Sequence, residues 1–67
     1  MLHDDYDGFG VRIMEEGDVL MAQFIELPEV AACGATVTAA LIELKAVWEA
    51  TKEVYARHDR PIPVVRH

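Results

Sequence analysis

Apolar and polar positions along this chain repeat with two different periods, and the change of period divides it into a sheet-forming half and a helical half. From Phe9 the alternation is twofold. Phe9, Val11 and Ile13 share one face and Gly10, Arg12 and Met14 the other, which predicts a strand over 9–14. Glu15-Glu16-Gly17-Asp18 interrupts the run, and a polar tetrad with a glycine between two apolar segments predicts a hairpin turn. A second strand follows over 19–25. Leu20, Ala22 and Phe24 lie on one side of it and Val19, Met21, Gln23 and Ile25 on the other, so both faces carry apolar side chains. Pro28 ends that strand, because it removes a ladder donor and holds Leu27 extended. The short apolar run 30–33 predicts a third antiparallel strand.

Past Gly34 the period lengthens. Val37, Ala40, Leu41, Leu44, Val47, Trp48, Thr51, Val54 and Tyr55 recur at three-and-four spacing, predicting one amphipathic helix over 36–58 with Thr36 as its N-cap. Lys45 with Glu49 and Glu53 with Arg57 sit four apart on the charged side, where such pairs are worth ~0.2 to 0.5 kcal/mol each. Arg57 and His58 suit the negative pole of the helix, and Pro61 forbids its continuation. A helix of roughly 22 residues spans ~33 Å, whereas strands of about 6 residues reach only ~20 Å. One end of the helix is therefore expected to overhang the sheet. Val54 and Tyr55 on that overhang, with Met21 on the second strand's other face, are the predicted oligomer contacts. A short edge strand over 62–65, parallel to an earlier strand through a right-handed crossover, completes the expected order β-β-β-α-β. The fold class is α+β, in a single domain over 1–67 whose first residues, 1–8, form a solvated polar lead-in.

Composition sharpens this picture. At 67 residues and 52% hydrophobic content, the chain is small enough to be marginal alone yet richer than usual in apolar side chains, which predicts a homo-oligomer, most simply a dimer. Twelve acidic against six basic residues give a net charge of -6, which repels phosphate backbones and attracts basic proteins. Direct nucleic-acid binding is accordingly not expected. The single cysteine, Cys33, cannot form an internal disulfide, and with no run long enough to span a membrane the expected home is the cytoplasm. Without an adjacent histidine or lysine, Cys33 reads as a small buried filler rather than a reactive thiol.

By residue type, no reactive cluster stands out. The chain has no serine, no glycine-rich phosphate loop and no paired Cys or His spacing for zinc; His3, His58 and His67 stand singly. Asp4, Asp5 and Asp7 flank Tyr6 in the lead-in, where the fixed oxygen geometry that magnesium requires is not expected. Glu15 and Glu16 point to opposite faces if extended, a poor acid and base pair. Trp48 and Tyr55 on the helical stripe read as core or interface aromatics. No catalytic residue, metal or cofactor is predicted.

The run Met21-Ala22-Gln23-Phe24-Ile25-Glu26-Leu27-Pro28, then Gly34-Ala35-Thr36, Ala40-Leu41 and Pro61-Ile62-Pro63, resembles the HicB-like antitoxin domain from Phe9 to about Val64. The sequence departs from that pattern at Glu29, where the family has glycine after the proline, at Ala35 in place of an aspartate, and at Thr38-Ala39 in place of an acidic pair. Ala39 removes the reciprocal arm of a capping box, weakening the helix start by about 0.5 to 1 kcal/mol. The resemblance implies a three-stranded antiparallel meander, one long helix and a fourth strand, similar to a truncated ribonuclease H fold without its catalytic acids. It also implies an antitoxin that binds and masks a small basic mRNA-cleaving toxin, HicA-like. With a last residue at His67 the chain is expected to lack the DNA-binding module that many members carry. Asp18, Glu26 and Glu29, at turns and strand ends, are the expected partner contacts. An orphan oligomerising domain of the same fold is the alternative, and a small metal-dependent nuclease relative a remoter one.

Overall fold

The computed structural model describes residues 6–63, and within them three strands and one helix follow in the order β1 (Val11–Glu16), β2 (Val19–Phe24), β3 (Ala31–Gly34) and α1 (Val37–Arg57). The class is α+β. The sheet is an antiparallel meander with β2 in the middle. Val11 pairs with Phe24 and Glu16 with Val19, while Leu20 pairs with Gly34 and Gln23 with Ala31.

The first strand runs two residues later than the alternation from Phe9 predicts. Phe9 instead closes a turn, its N–H donating to the Tyr6 carbonyl at 3.0 Å, and Asp7 and Gly8 take positive φ values of 52° and 85° there. At the far end the strand absorbs Glu15 and Glu16, leaving a two-residue loop of Gly17-Asp18. Gly17 has φ of 62° while Asp18 stays outside the left-handed region, the arrangement of a hairpin turn with glycine first. The expected edge strand over 62–65 is not seen in Ile62 and Pro63, which are irregular; positions 64 and 65 lie outside the described residues.

The helix starts where Thr36 predicts. Its Oγ1 accepts from the Ala39 N–H at 3.1 Å, with Thr36 itself extended. The stop is made by backbone rather than by Pro61. Asp59 takes φ of 56°, its N–H donates to the Ala56 carbonyl at 3.1 Å, and the Arg60 N–H reaches back to Tyr55 at 2.9 Å. Those two bonds are a Schellman motif, normally closed by glycine.

One stripe of the helix covers the sheet. Ala40, Leu44 and Trp48, four apart, are fully buried against Ala22, Phe24, Val30 and Phe9. The centre of that core is aromatic: Phe9 stacks on Phe24 at 4.6 Å, and Trp48 meets both rings edge-on at 5.2 Å. Each such side chain contributes about 1.5 to 3 kcal/mol on burial, so three of them supply a large share of the stability of so small a domain. Gly34 lets the helix approach; a Cβ there would lie 2.5 Å from the Ala40 backbone nitrogen. Because α1 lies over β2 and β3, the helix-facing side of β1 is only partly covered, and Ile13 stays 39% exposed.

Candidate interaction surfaces

Strand pairing fixes which side chains share the sheet face turned away from the helix. Met14, Met21 and Cys33 are register partners and form one row across all three strands; Arg12, Gln23 and Ala31 form the next row, and Glu16 with Val19 the row beyond Met14. No described element lies over this face. Val19 and Ile25 on the same side are 39% and 52% exposed. Met21 therefore occupies the centre of an uncovered, largely apolar surface. Cys33 belongs to it too and is exposed, which corrects the expectation of a buried filler. The reason is parity: Ala32 and Gly34 turn toward the helix, so Cys33 between them must turn away.

A second apolar surface runs along the helix. Tyr6, Leu41, Ile42 and Ala46, rimmed by Thr38, Lys45 and Glu49, line an open cleft of about 480 Å³, and Ile42 is 63% exposed. The Tyr6 hydroxyl donates to the Leu41 carbonyl at 3.0 Å and its ring meets Phe24 edge-on. Tyr6 is thus anchored, not part of a solvated lead-in. The same holds for Asp7. Its Oδ2 accepts from the buried Trp48 indole N–H at 2.7 Å and from the Lys52 ammonium at 2.9 Å. Lys52, followed by the Trp48 indole, holds the Asp7 carboxyl below its usual range; Asp7 in turn raises Lys52. Lys52 also meets Glu49 at 3.3 Å and lies over the Trp48 ring. Residues 1–5, including Asp4 and Asp5, lie outside the described residues.

The predicted contact residues are scattered rather than gathered. Asp18 sits in the β1–β2 hairpin at one end of β2, whereas Glu26 and Glu29 follow its other end, so the three acids do not form one patch. Glu26 also serves the fold, since its Oε1 accepts from the Gly10 N–H at 2.9 Å and ties down the approach to β1. Glu29 is exposed in the β2–β3 turn, where the Gln23 side chain donates to the Pro28 carbonyl. Near the C-terminal end of α1, Val54 is 47% exposed, while Tyr55 is half-buried beneath the Arg60 guanidinium. Glu53 pairs with Arg57 at 3.2 Å, and the salt bridge of Glu49 is with Lys52.

Sequence reasoning missed Met14, Cys33, Asp7 and the Ile42 cleft. Met14 was recoverable from the alternation itself, since it shares parity with Arg12. Asp7 carried a local signal in the Asp7-Gly8 dipeptide, a turn former, but its partners lie 41 and 45 positions away. Among the described residues, no group of three or more His, Cys, Asp or Glu is placed to hold a metal ion, and no helix is long and apolar enough to cross a membrane. Comparisons with models of known protein families, with curated proteins and with solved structures give no match.

Proposed function

We propose that this chain is a protein-binding module of the HicB-like antitoxin kind, which masks a small basic mRNA-cleaving partner and self-associates. The observation that carries the reading is the uncovered sheet face: Met14, Met21 and Cys33 stand in one row with Val19 and Ile25 nearby, and no described element lies over them. An apolar surface of that kind on a domain this small favours a macromolecular partner. The net charge of -6 selects a basic one and speeds the encounter. Asp18, Glu26 and Glu29 are exposed and available to border such a contact, Glu26 with one oxygen already engaged. In this reading the chain has no catalytic role, and it silences its partner by covering the partner's active site.

The test is co-expression with a small basic protein encoded beside it, followed by co-purification and an RNA-cleavage assay. The expected result is a stable complex in which cleavage is suppressed. If the neighbouring protein cleaves RNA equally well in the presence of excess chain, the antitoxin reading fails. A domain that only oligomerises is the second reading, favoured by the same open face; it predicts self-association with no such capture.

A further inference from the structure

The outer edge of β1 is the longest unpaired strand edge among the described residues, and its backbone parity can be read from one bond. The Ile25 N–H donates to the Gly10 carbonyl at 2.9 Å, so Gly10 points its carbonyl toward β2. Alternation then turns Arg12, Met14 and Glu16 toward β2 and leaves the N–H and C=O groups of Val11, Ile13 and Glu15 facing outward. The charges along this edge, Arg12, Glu15 and Glu16, are of both signs, so they oppose some registers and favour others. β1 contains no proline and no lysine, and Ile13 lies at the lip that the helix does not cover.

A twofold axis perpendicular to the sheet keeps every side chain on its own face, so two copies of β1 can pair only in registers whose residue numbers sum to an even value. Two registers leave one residue at the end of each β1 outside the overlap. Centred on Ile13, Arg12 would oppose Met14 and the two Arg12 side chains would lie on a diagonal. Centred on Met14, Arg12 of each copy lies directly opposite Glu16 of the other, Met14 opposes Met14, and Ile13 opposes Glu15. Arg12 and Glu16 hold no ion pair among the described residues, so both are available. The pairs in this register that carry the side chains of the open face are the closely spaced, non-hydrogen-bonded ones, with Cα atoms about 4.5 Å apart. Opposite charges are favourable there and like charges are not.

The geometry points to a second copy of this chain as the occupant of the β1 edge, paired antiparallel about Met14 with two Arg12–Glu16 contacts across the dyad. The result is one six-stranded sheet with both helices on the same side. On the other side the row Met14, Met21 and Cys33 continues without a break into the same row of the second copy. Ile13 of each copy, uncovered in the monomer, falls in the channel between the two helices. This inference specifies the self-association in the proposed function. It does not depend on the basic partner, whose capture is read in a separate assay.

The test uses the intact chain. Sedimentation equilibrium should give a dimer, and because a single strand pair with its flanking side chains forms a small interface, the dimer should dissociate on dilution below the micromolar range. R12E and E16R should each raise the dissociation constant by roughly ten- to thirty-fold, because two attractive pairs become repulsive, and the R12E/E16R double variant should restore it. In a C33A background, M14C should link two chains on mild oxidation faster than I13C does. A monomeric wild type overturns the proposal. A dimer indifferent to either charge reversal, or one linked by I13C and not by M14C, overturns it as well.

Discussion

Removing the Asp7 carboxylate tests whether the segment before β1 is a working part of the fold. The Trp48 indole is fully buried, and its N–H has Asp7 as its hydrogen-bond partner at 2.7 Å. In Asp7→Ala that donor loses a charged acceptor, and leaving a buried donor unsatisfied costs about 1 to 3 kcal/mol. Water reaching the vacated position through the exposed Asp7 site brings the expected figure toward the lower half of that range. The Lys52 contact adds little: the Asp7 side chain is 47% exposed, and exposed ion pairs are worth about 0 to 1 kcal/mol. Alanine is also less tolerant than aspartate of the φ of 52° at this position. About 1.5 to 2 kcal/mol in all would lower the melting temperature by roughly 6 to 15 °C in a domain of this size.

Asp7→Asn separates the contributions. An amide oxygen still accepts from Trp48 and asparagine still tolerates the left-handed backbone, so this variant should lose only the charge in its contacts with Lys52 and Trp48, about 0.5 to 1 kcal/mol. Trp48 is the single tryptophan, so its fluorescence in urea reports the site and the global transition together. The pH dependence gives an independent check. Asp7 has a folded pKa below its unfolded value, so the unfolded chain binds the proton more readily. Its contribution is therefore fully present above the unfolded carboxylate pKa and is lost as pH falls through the depressed folded one. Acid lability in that window should be shallower in Asp7→Asn than in the wild type. Equal stability of Asp7→Ala and the wild type would refute the reasoning. So would a Lys52→Met variant as unstable as Asp7→Ala, since that would place the energy in the ion pair.

Three further outcomes follow from backbone and packing. Asp59→Gly should stabilise the chain by about 0.5 to 1 kcal/mol in urea denaturation, because glycine adopts the observed φ of 56° freely and removes an acid from the negative end of the helix. Gly34→Ala should destabilise by about 1 to 3 kcal/mol in the same assay, since its Cβ would meet the Ala40 nitrogen at 2.5 Å and backbone there cannot swing aside. Cys33 in the folded chain should react with an aromatic disulfide reagent without denaturant, whereas reaction only after urea is added would return it to the core.

Features decided within one turn of chain were legible in the sequence. Thr36 caps the helix because the free amides it serves are three residues away, and Trp48 faces the core because its spacing from Ala40 and Leu44 leaves no alternative. The hairpin at Gly17 was equally local, although the strand before it ran on through Glu15 and Glu16. What the sequence hid depends on where α1 comes to rest. A four-residue strand of Ala31, Ala32, Cys33 and Gly34 carries no amphipathic signal, so the exposure of Cys33 followed only from the pairing of Ala32 with Ala22 beneath the helix. The bond between Asp7 and Trp48 closes a loop of 41 residues, beyond any periodicity argument. The scatter of Asp18, Glu26 and Glu29 had the same cause: placing acids at strand ends says nothing about which end.

The self-association and the capture of a basic partner are physically linked if both use this sheet. A single chain presents one row of Met14, Met21 and Cys33, only three strands wide, between Arg12 and Gln23 on one side and Glu16 and Val19 on the other. Pairing about Met14 joins two such rows end to end, and it neutralises Arg12, the one basic side chain described on that face, against Glu16 of the other copy. The joined surface is twice as long and its central charges are paired off, so in the proposed function a basic partner gains more contact area from the dimer than from two monomers, while the net charge of -6 on each chain still draws it in. Linkage then requires the converse, that the partner tightens the dimer by the same factor. R12E should therefore weaken capture of the partner by the dilute chain even though it makes each chain more acidic, and the R12E/E16R double variant should recover it. An R12E chain that binds the partner better than the wild type would mean that charge alone governs capture and that the paired sheet plays no part in it.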